Sequence, residues 1–157
     1  MNENTIQNTR QLLTSPGTGH MTLLTSFRRN GVGVRSLVGT VASQGKLYFM
    51  TASNTWKVKR LANDPRVTLA PGTARGKALG PAIEGIARRL SGEELKRARD
   101  LLRVGIVGHF WGFIFDLRNP GEKTAVYEIS LEAEPVNQGM IPIRSFEEGQ
   151  KREKKAI

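Results

Sequence analysis

Residues 124–134, TAVYEISLEAE, alternate almost perfectly. Ala125, Tyr127, Ile129, Leu131 and Ala133 fall on one face of an extended chain, and Val126, Glu128, Ser130, Glu132 and Glu134 on the other. Successive strand side chains point to opposite faces, so this period of two predicts a half-buried antiparallel strand. Hairpin signals upstream point the same way. The run HMTLLTSFRRNG ends in Asn30-Gly31, and VGVRSLVGTVAS meets KLYFMTAS across Gln44-Gly45; both pairs supply the positive φ of a tight turn. RVTLAPG and PAIEGIARRL add two more β-type runs, with Gly85 expected as a bulge. Six strands and few helices predict a mainly β fold, a small barrel with helices at its rim.

One helix is clear in SGEELKRARDLLR, where Ser91 is the expected N-cap with Glu94 three residues on, and Leu95, Ala98, Leu101 and Leu102 form the apolar stripe. A shorter helix is expected in NTWKVKRLAN, closed by Asp64-Pro65, with Val58, Leu61 and Ala62 facing inward. Residues 1–18 are polar and carry the turn signal SPGTG, which reads as a flexible N-terminal extension. Residues 143–157 read as a charged, solvated C-terminal tail, leaving 19–142 as the domain. A chain of 157 residues is long enough for one domain with a substantial core.

The absence of cysteine excludes disulfides, thiolate catalysis and Cys-ligated metals and fits a reducing cytoplasm. Two histidines, His20 and His109, leave little for a metal site, so no metal is expected. The polar start MNENTIQNTR lacks the apolar core of a signal peptide, and the most apolar run, 104–115, is too short to span a bilayer as a helix. The expectation is a soluble cytoplasmic protein. A formal net charge of +10 calls for an anionic partner.

The placement of that charge is informative. Between Thr51 and Lys77 six Lys or Arg residues stand against one acid, Asp64. Lys57 falls in the first turn of the short helix, where the helix dipole already disfavours a cation. An anion held there by helix amides, the hydroxyls of Thr51, Ser53 and Thr55, the Lys57 ammonium and Arg60 three residues on would account for it. Lys59 points elsewhere, toward a second anionic group or solvent. A simply solvated basic face is the alternative that spacing leaves open. Two phosphate motifs fail: GTARGKAL has three residues between its glycines and Ala78 after Lys77, and GVGVRS lacks a third glycine and opens no helix. The basic helix face of Lys96, Arg97, Arg99 and Arg103 has no interleaved aromatics, so specific nucleic-acid binding is not expected there. The segment VGIVGHFWGFIF reads as core or as a wall of a substrate pocket. Trp56, beside Lys57, reads as a cover for a ligand or as a dimer contact.

The runs SFRRNG, LYFMTASNTWKVKRLANDPRVTLAPGTARGKALGPAIEGIARRL and VYEIS resemble the pyridoxamine 5'-phosphate oxidase-like split-barrel superfamily, and its branch dependent on the deazaflavin coenzyme F420. The resemblance covers residues 20–132. It implies a six-stranded antiparallel split barrel with short peripheral helices that forms a homodimer, with a flavin-type cofactor at the subunit interface. It also implies that Lys57, Lys59 and Arg60, aided by Thr51 and Ser53, hold the cofactor phosphate, and that backbone amides of Arg35–Gly39, Ser36 and Val38 among them, meet the ring edge. The chain departs from the family pattern at Leu37 and Gly39, where a proline and an aromatic are common.

The implied function is an oxidoreductase moving a hydride between coenzyme F420 and a small organic acceptor, chemistry that resides in the cofactor and requires no dedicated catalytic acid or base. FMN is the alternative cofactor. A noncatalytic cofactor carrier, or a basic barrel binding nucleic acid, is the alternative of another class.

Overall fold

The computed structural model describes residues 2–15, 20–104 and 124–132. Three helices and six strands follow one another as α1 (Glu3–Thr14), β1 (His20–Phe27), β2 (Gly33–Ser43), β3 (Lys46–Ala52), α2 (Trp56–Asn63), β4 (Arg66–Pro71), β5 (Ile83–Arg89), α3 (Gly92–Val104) and β6 (Thr124–Leu131). The strands close into an antiparallel barrel in the order β1-β2-β3-β6-β5-β4, with β4 returning to β1. This is the six-stranded, mainly β architecture that the hairpin signals predict.

The turns behave as their residues require. Gly31 has a φ of 87°, and the Asn30 side chain accepts from the Val32 amide at 3.1 Å. Gln44 and Gly45 both take positive φ, 52° and 75°, the left-handed pair that a two-residue hairpin needs.

Leu24, Leu47, Phe49, Leu69 and Ile129 are fully buried in the main core, where Phe49 stacks on Tyr127 with ring centroids 5.2 Å apart. A second cluster lies outside the barrel wall, where Ala98 and Leu102 of α3 cover Val41, Leu90 and Val126.

Three expectations are corrected. Residues 3–14, expected within a flexible extension, form α1, which packs against β2, β3, β4 and β5. Leu13 is fully buried in the main core, Thr9 is nearly so, and Arg10 donates to the Glu132 carbonyl. Strand β6, expected to be half-buried, is buried on both faces from Ala125 to Ile129, because α3 covers Val126 and the Glu128 carboxylate is enclosed by cations. Gly85 forms no bulge, since its register with Val67 and Leu131 is unbroken. A Cβ there would come within 2.9 Å of Ile129 and 3.1 Å of the Ser130 carbonyl, so close packing is what requires glycine. The C-terminal tail and residues 105–123, with His109, lie outside the described residues.

Candidate anion site at the start of helix α2

Helix α2 begins at Trp56 after Thr55, whose hydroxyl donates to the Ala52 carbonyl at 3.1 Å and gives the helix no side-chain cap. Its first turn contains no acid. The first amides of a helix have no acceptor within it, so this end presents donors and partial positive charge. Val58 and Leu61 are buried and anchor the helix to the barrel. Their burial sets the direction of the remaining side chains.

Asp64, the one acid of the basic segment, is occupied elsewhere. Its carboxylate takes two bonds from the Arg66 guanidinium, at 2.9 and 3.0 Å, and one from the Arg66 amide at 3.1 Å. It neutralises none of the α2 cations. Arg60 reaches the barrel wall, where its Nε donates to the buried Ser26 hydroxyl at 2.8 Å. Burial and then the field of Arg28 hold its pKa below the ordinary value. Lys57 is half-buried beside it. Burial first, and then the Arg60 charge, lower the Lys57 ammonium to about 8 from 10.5. Among the described residues no hydrogen bond or ion pair is made by this ammonium.

A depressed lysine pKa next to a second cation and an uncapped helix start is the electrostatic state that a bound anion relieves. The donor set therefore fits a phosphate. Thr51 is buried at the end of β3 opposite Ala125, and Ser53 is half-buried in the turn leading to α2, so both belong to the segment that precedes Lys57. Lys59 turns away, its Nζ 4.3 Å from the centroid of the Trp56 ring. With Arg28, Arg29, Trp56, Arg60, Ala62 and Asn63 it lines a groove of about 770 Å³. Arg28 and Arg29, from the β1–β2 turn, enlarge the cationic patch beyond what the α2 motif alone indicates.

Strand β2 offers a second set of donors. From Gly33 to Thr40 it pairs with β1, and only Val41–Ser43 pair with β3. Among the described ladders, its other edge is open over the first eight residues. The Arg28 amide donates to Val32, so even-numbered residues of this hairpin exchange bonds across it. The Gly72 amide donates to Met21, which agrees in directing odd-numbered β1 residues to the β4 side. By this alternation the amides of Ser36 and Val38 point into the β1 ladder, and those of Arg35, Leu37 and Gly39 point to the open edge. The Val38 side chain lies in the main core, and the Ser36 hydroxyl contacts the Leu24 carbonyl at 3.5 Å. The open edge includes Arg35–Gly39, and within it the amides of Ser36 and Val38 face the β1 ladder instead.

No family model and no curated protein matches the sequence. Solved structures do match. The barrel aligns with a candidate pyridoxamine 5'-phosphate oxidase from Listeria innocua at a TM-score of 0.50 and 17% identity, over 83% of this chain and 94% of that one. A FAD-binding protein from Mesorhizobium loti aligns at 0.56 and 16% identity, over 81% and 89% of the two chains. The fold these structures share with the chain is a six-stranded split barrel. A haem-binding protein from Mycobacterium smegmatis shares it at 0.57 and 18% identity, where this chain spans 84% of its own length and 53% of that protein's. At such identities the likeness concerns the fold alone. Among the described residues no cluster of His, Cys, Asp or Glu can hold a metal, and no helix is long and apolar enough to cross a membrane.

Proposed function

We propose that this chain is an oxidoreductase that transfers a hydride between coenzyme F420 and a small organic acceptor, acting in the cytoplasm as a homodimer. The observation that carries the reading is the half-buried Lys57 beside Arg60 at the start of α2, with Asp64 turned to Arg66. In this reading Lys57 and Arg60 take the cofactor phosphate, with Thr51, Ser53 and the first amides of α2 as further donors. Lys59 meets a second anionic group. The outward amides of Arg35, Leu37 and Gly39 hold the ring edge, while Ser36 and Val38 keep β2 seated on β1. The bound coenzyme supplies the hydride chemistry. The chain's residues fix its phosphate, orient the ring along an open strand edge and keep water from it.

FMN is the second cofactor reading, supported by the fold shared with a FAD-binding protein. The shared fold of a haem-binding protein supports a noncatalytic carrier as the alternative of another class. Fluorescence titration of the apoprotein with coenzyme F420 and with FMN, each at two salt concentrations, tests the reading. Saturable deazaflavin binding with turnover of an acceptor is the expected result. Preference for FMN moves the protein to the flavin side, tight binding without turnover makes it a carrier, and binding of neither removes the oxidoreductase reading.

A further inference from the structure

Thr22, Leu24 and Ser26 share one face of β1, the face that Leu24 turns into the main core, and all three are completely shielded from solvent. The two hydroxyls on that face have different partners. Thr22 meets the Thr40 hydroxyl at 2.8 Å, whereas Ser26 accepts from the Arg60 Nε at 2.8 Å, its one side-chain hydrogen bond among the described residues. A buried hydroxyl left without a partner is costly, so Ser26 and Arg60 hold one another across the seam between β1 and α2. Arg66, the next arginine of the segment, is held in another way. Its Nε and an Nη both donate to the Asp64 carboxylate, which satisfies its fork and its charge together. Arg60 gives only Nε, and to a neutral oxygen, and among the described residues its Nη groups donate to nothing. The same side chain lines the groove beside α2, so the guanidinium is fixed at the wall and open toward solvent.

We infer that Ser26 is a positioning residue of the anion site: it fixes Arg60 through Nε and leaves the Nη pair as an end-on fork for the oxygens of the bound phosphate. The inference rests on the reading of Lys57 and Arg60 as phosphate ligands and adds to it a residue from β1, remote in sequence from α2. A serine suits this task because a neutral acceptor orients a guanidinium without cancelling its charge, which a carboxylate at the same place would do. Without the hydroxyl the arginine keeps its charge but loses its aim, and the rotamer freedom it gains must be given up again when the anion binds.

The test is calorimetric titration of the intact protein with inorganic pyrophosphate, combined with NMR of the arginine Nε–H groups. Ser26→Ala is expected to weaken pyrophosphate about fivefold, the size of one hydrogen bond, and Ser26→Thr, which restores the hydroxyl, to recover most of the loss. In an Arg60→Ala background Ser26→Ala should cause no further loss, because the serine acts through the arginine. In the ligand-free protein the Arg60 Nε–H, assigned by its disappearance in Arg60→Lys, should exchange with water more slowly than that of the exposed Arg75, and Ser26→Ala should remove this protection. A merely structural serine would not move that resonance and the affinity together. Unprotected Arg60 Nε–H in wild type, or losses from Ser26→Ala and Arg60→Ala that simply add, would overturn the inference. Pyrophosphate bound equally by wild type and Ser26→Ala would overturn it while leaving the phosphate reading in place. Wild type that binds no pyrophosphate, with its Arg60 Nε–H protected, would overturn both.

Discussion

Two groups of cations on this barrel look alike in the sequence and differ in the structure. On the α3 side, Arg88, Lys46 and the Tyr48 hydroxyl converge on the Glu128 carboxylate at 3.0–3.1 Å, and Arg88 also reaches Glu94 at 2.6 Å. Glu128 is almost fully enclosed. Burial pushes its carboxyl up, but bonds from Arg88, Lys46 and Tyr48 together outweigh that and hold it below the ordinary value. On the α2 side, Lys57, Arg60 and Arg28 gather with no carboxylate of the basic segment among them, and the lysine and Arg60 shift in the direction that disfavours their charge. A neutralised network fixes one element against another, here α3 against β3, β5 and β6. The Lys57–Arg60 pair is held at a cost that a ligand can reverse.

The largest expected effect that sharpens the contrast is on stability. Glu128→Ala should cost about 2–3 kcal/mol in urea unfolding, since three donors lose a buried charged acceptor, and should leave anion binding intact. Lys57→Ala should do the opposite: anion affinity falls by about 1–3 kcal/mol in a salt-sensitive manner, with no loss of stability in the ligand-free protein. A Lys57→Ala protein that unfolds more readily than wild type would break the contrast.

The two regions should also respond to pH in separate windows, stability rising with pH in each. Lys57 binds its proton less tightly when folded, about 8 against 10.5, so between those values the unfolded chain holds more protons. Ligand-free stability should therefore rise with pH across that window, relative to Lys57→Ala, and bound phosphate should flatten the rise. Glu128 is depressed, so its contribution is present above its ordinary 4.5 and is lost as the pH falls through its lower folded value. Thermal unfolding across both windows reads the two rises, one alkaline and lost in Lys57→Ala, the other acidic and lost in Glu128→Ala. The smallest effect belongs to Glu94→Gln. Its bond with Arg88 joins two half-exposed side chains, 55% and 54%, and its loss should move the unfolding midpoint less than any of the changes above.

What could be read from the residues alone divides along physical lines. The hairpins at Asn30-Gly31 and Gln44-Gly45, the Ser91 start of α3 and the Asp64-Pro65 end of α2 are local signals, and local signals survive folding. Helix α1 was hidden because its apolar residues are few and its buried Thr9 is polar; only the barrel end that receives Leu13 makes it a core element. Glu128 reads as solvent-facing from its alternation, and it is α3, remote in sequence, that encloses it. Gly85 reads as a bulge because glycine marks both bulges and close approach, and the Ile129 contact decides between them. The cationic cluster was legible at Lys57 and Arg60 from helix spacing. Arg28 and Arg29 were not, because the β1–β2 turn meets α2 only in three dimensions. The outward amides of Arg35, Leu37 and Gly39 depend on ladder parity, which no side chain encodes.

The most direct test of the central claim, that the α2 cluster is an anion site and the Glu128 network a structural one, needs no knowledge of the cofactor. Thermal unfolding of wild type, Lys57→Ala and Glu128→Ala would be followed with inorganic pyrophosphate and with chloride at matched ionic strength. The account predicts that pyrophosphate raises the Tm of wild type and of Glu128→Ala by the same increment, and that Lys57→Ala loses at least half of it. An equal rise in wild type and Lys57→Ala would contradict the account.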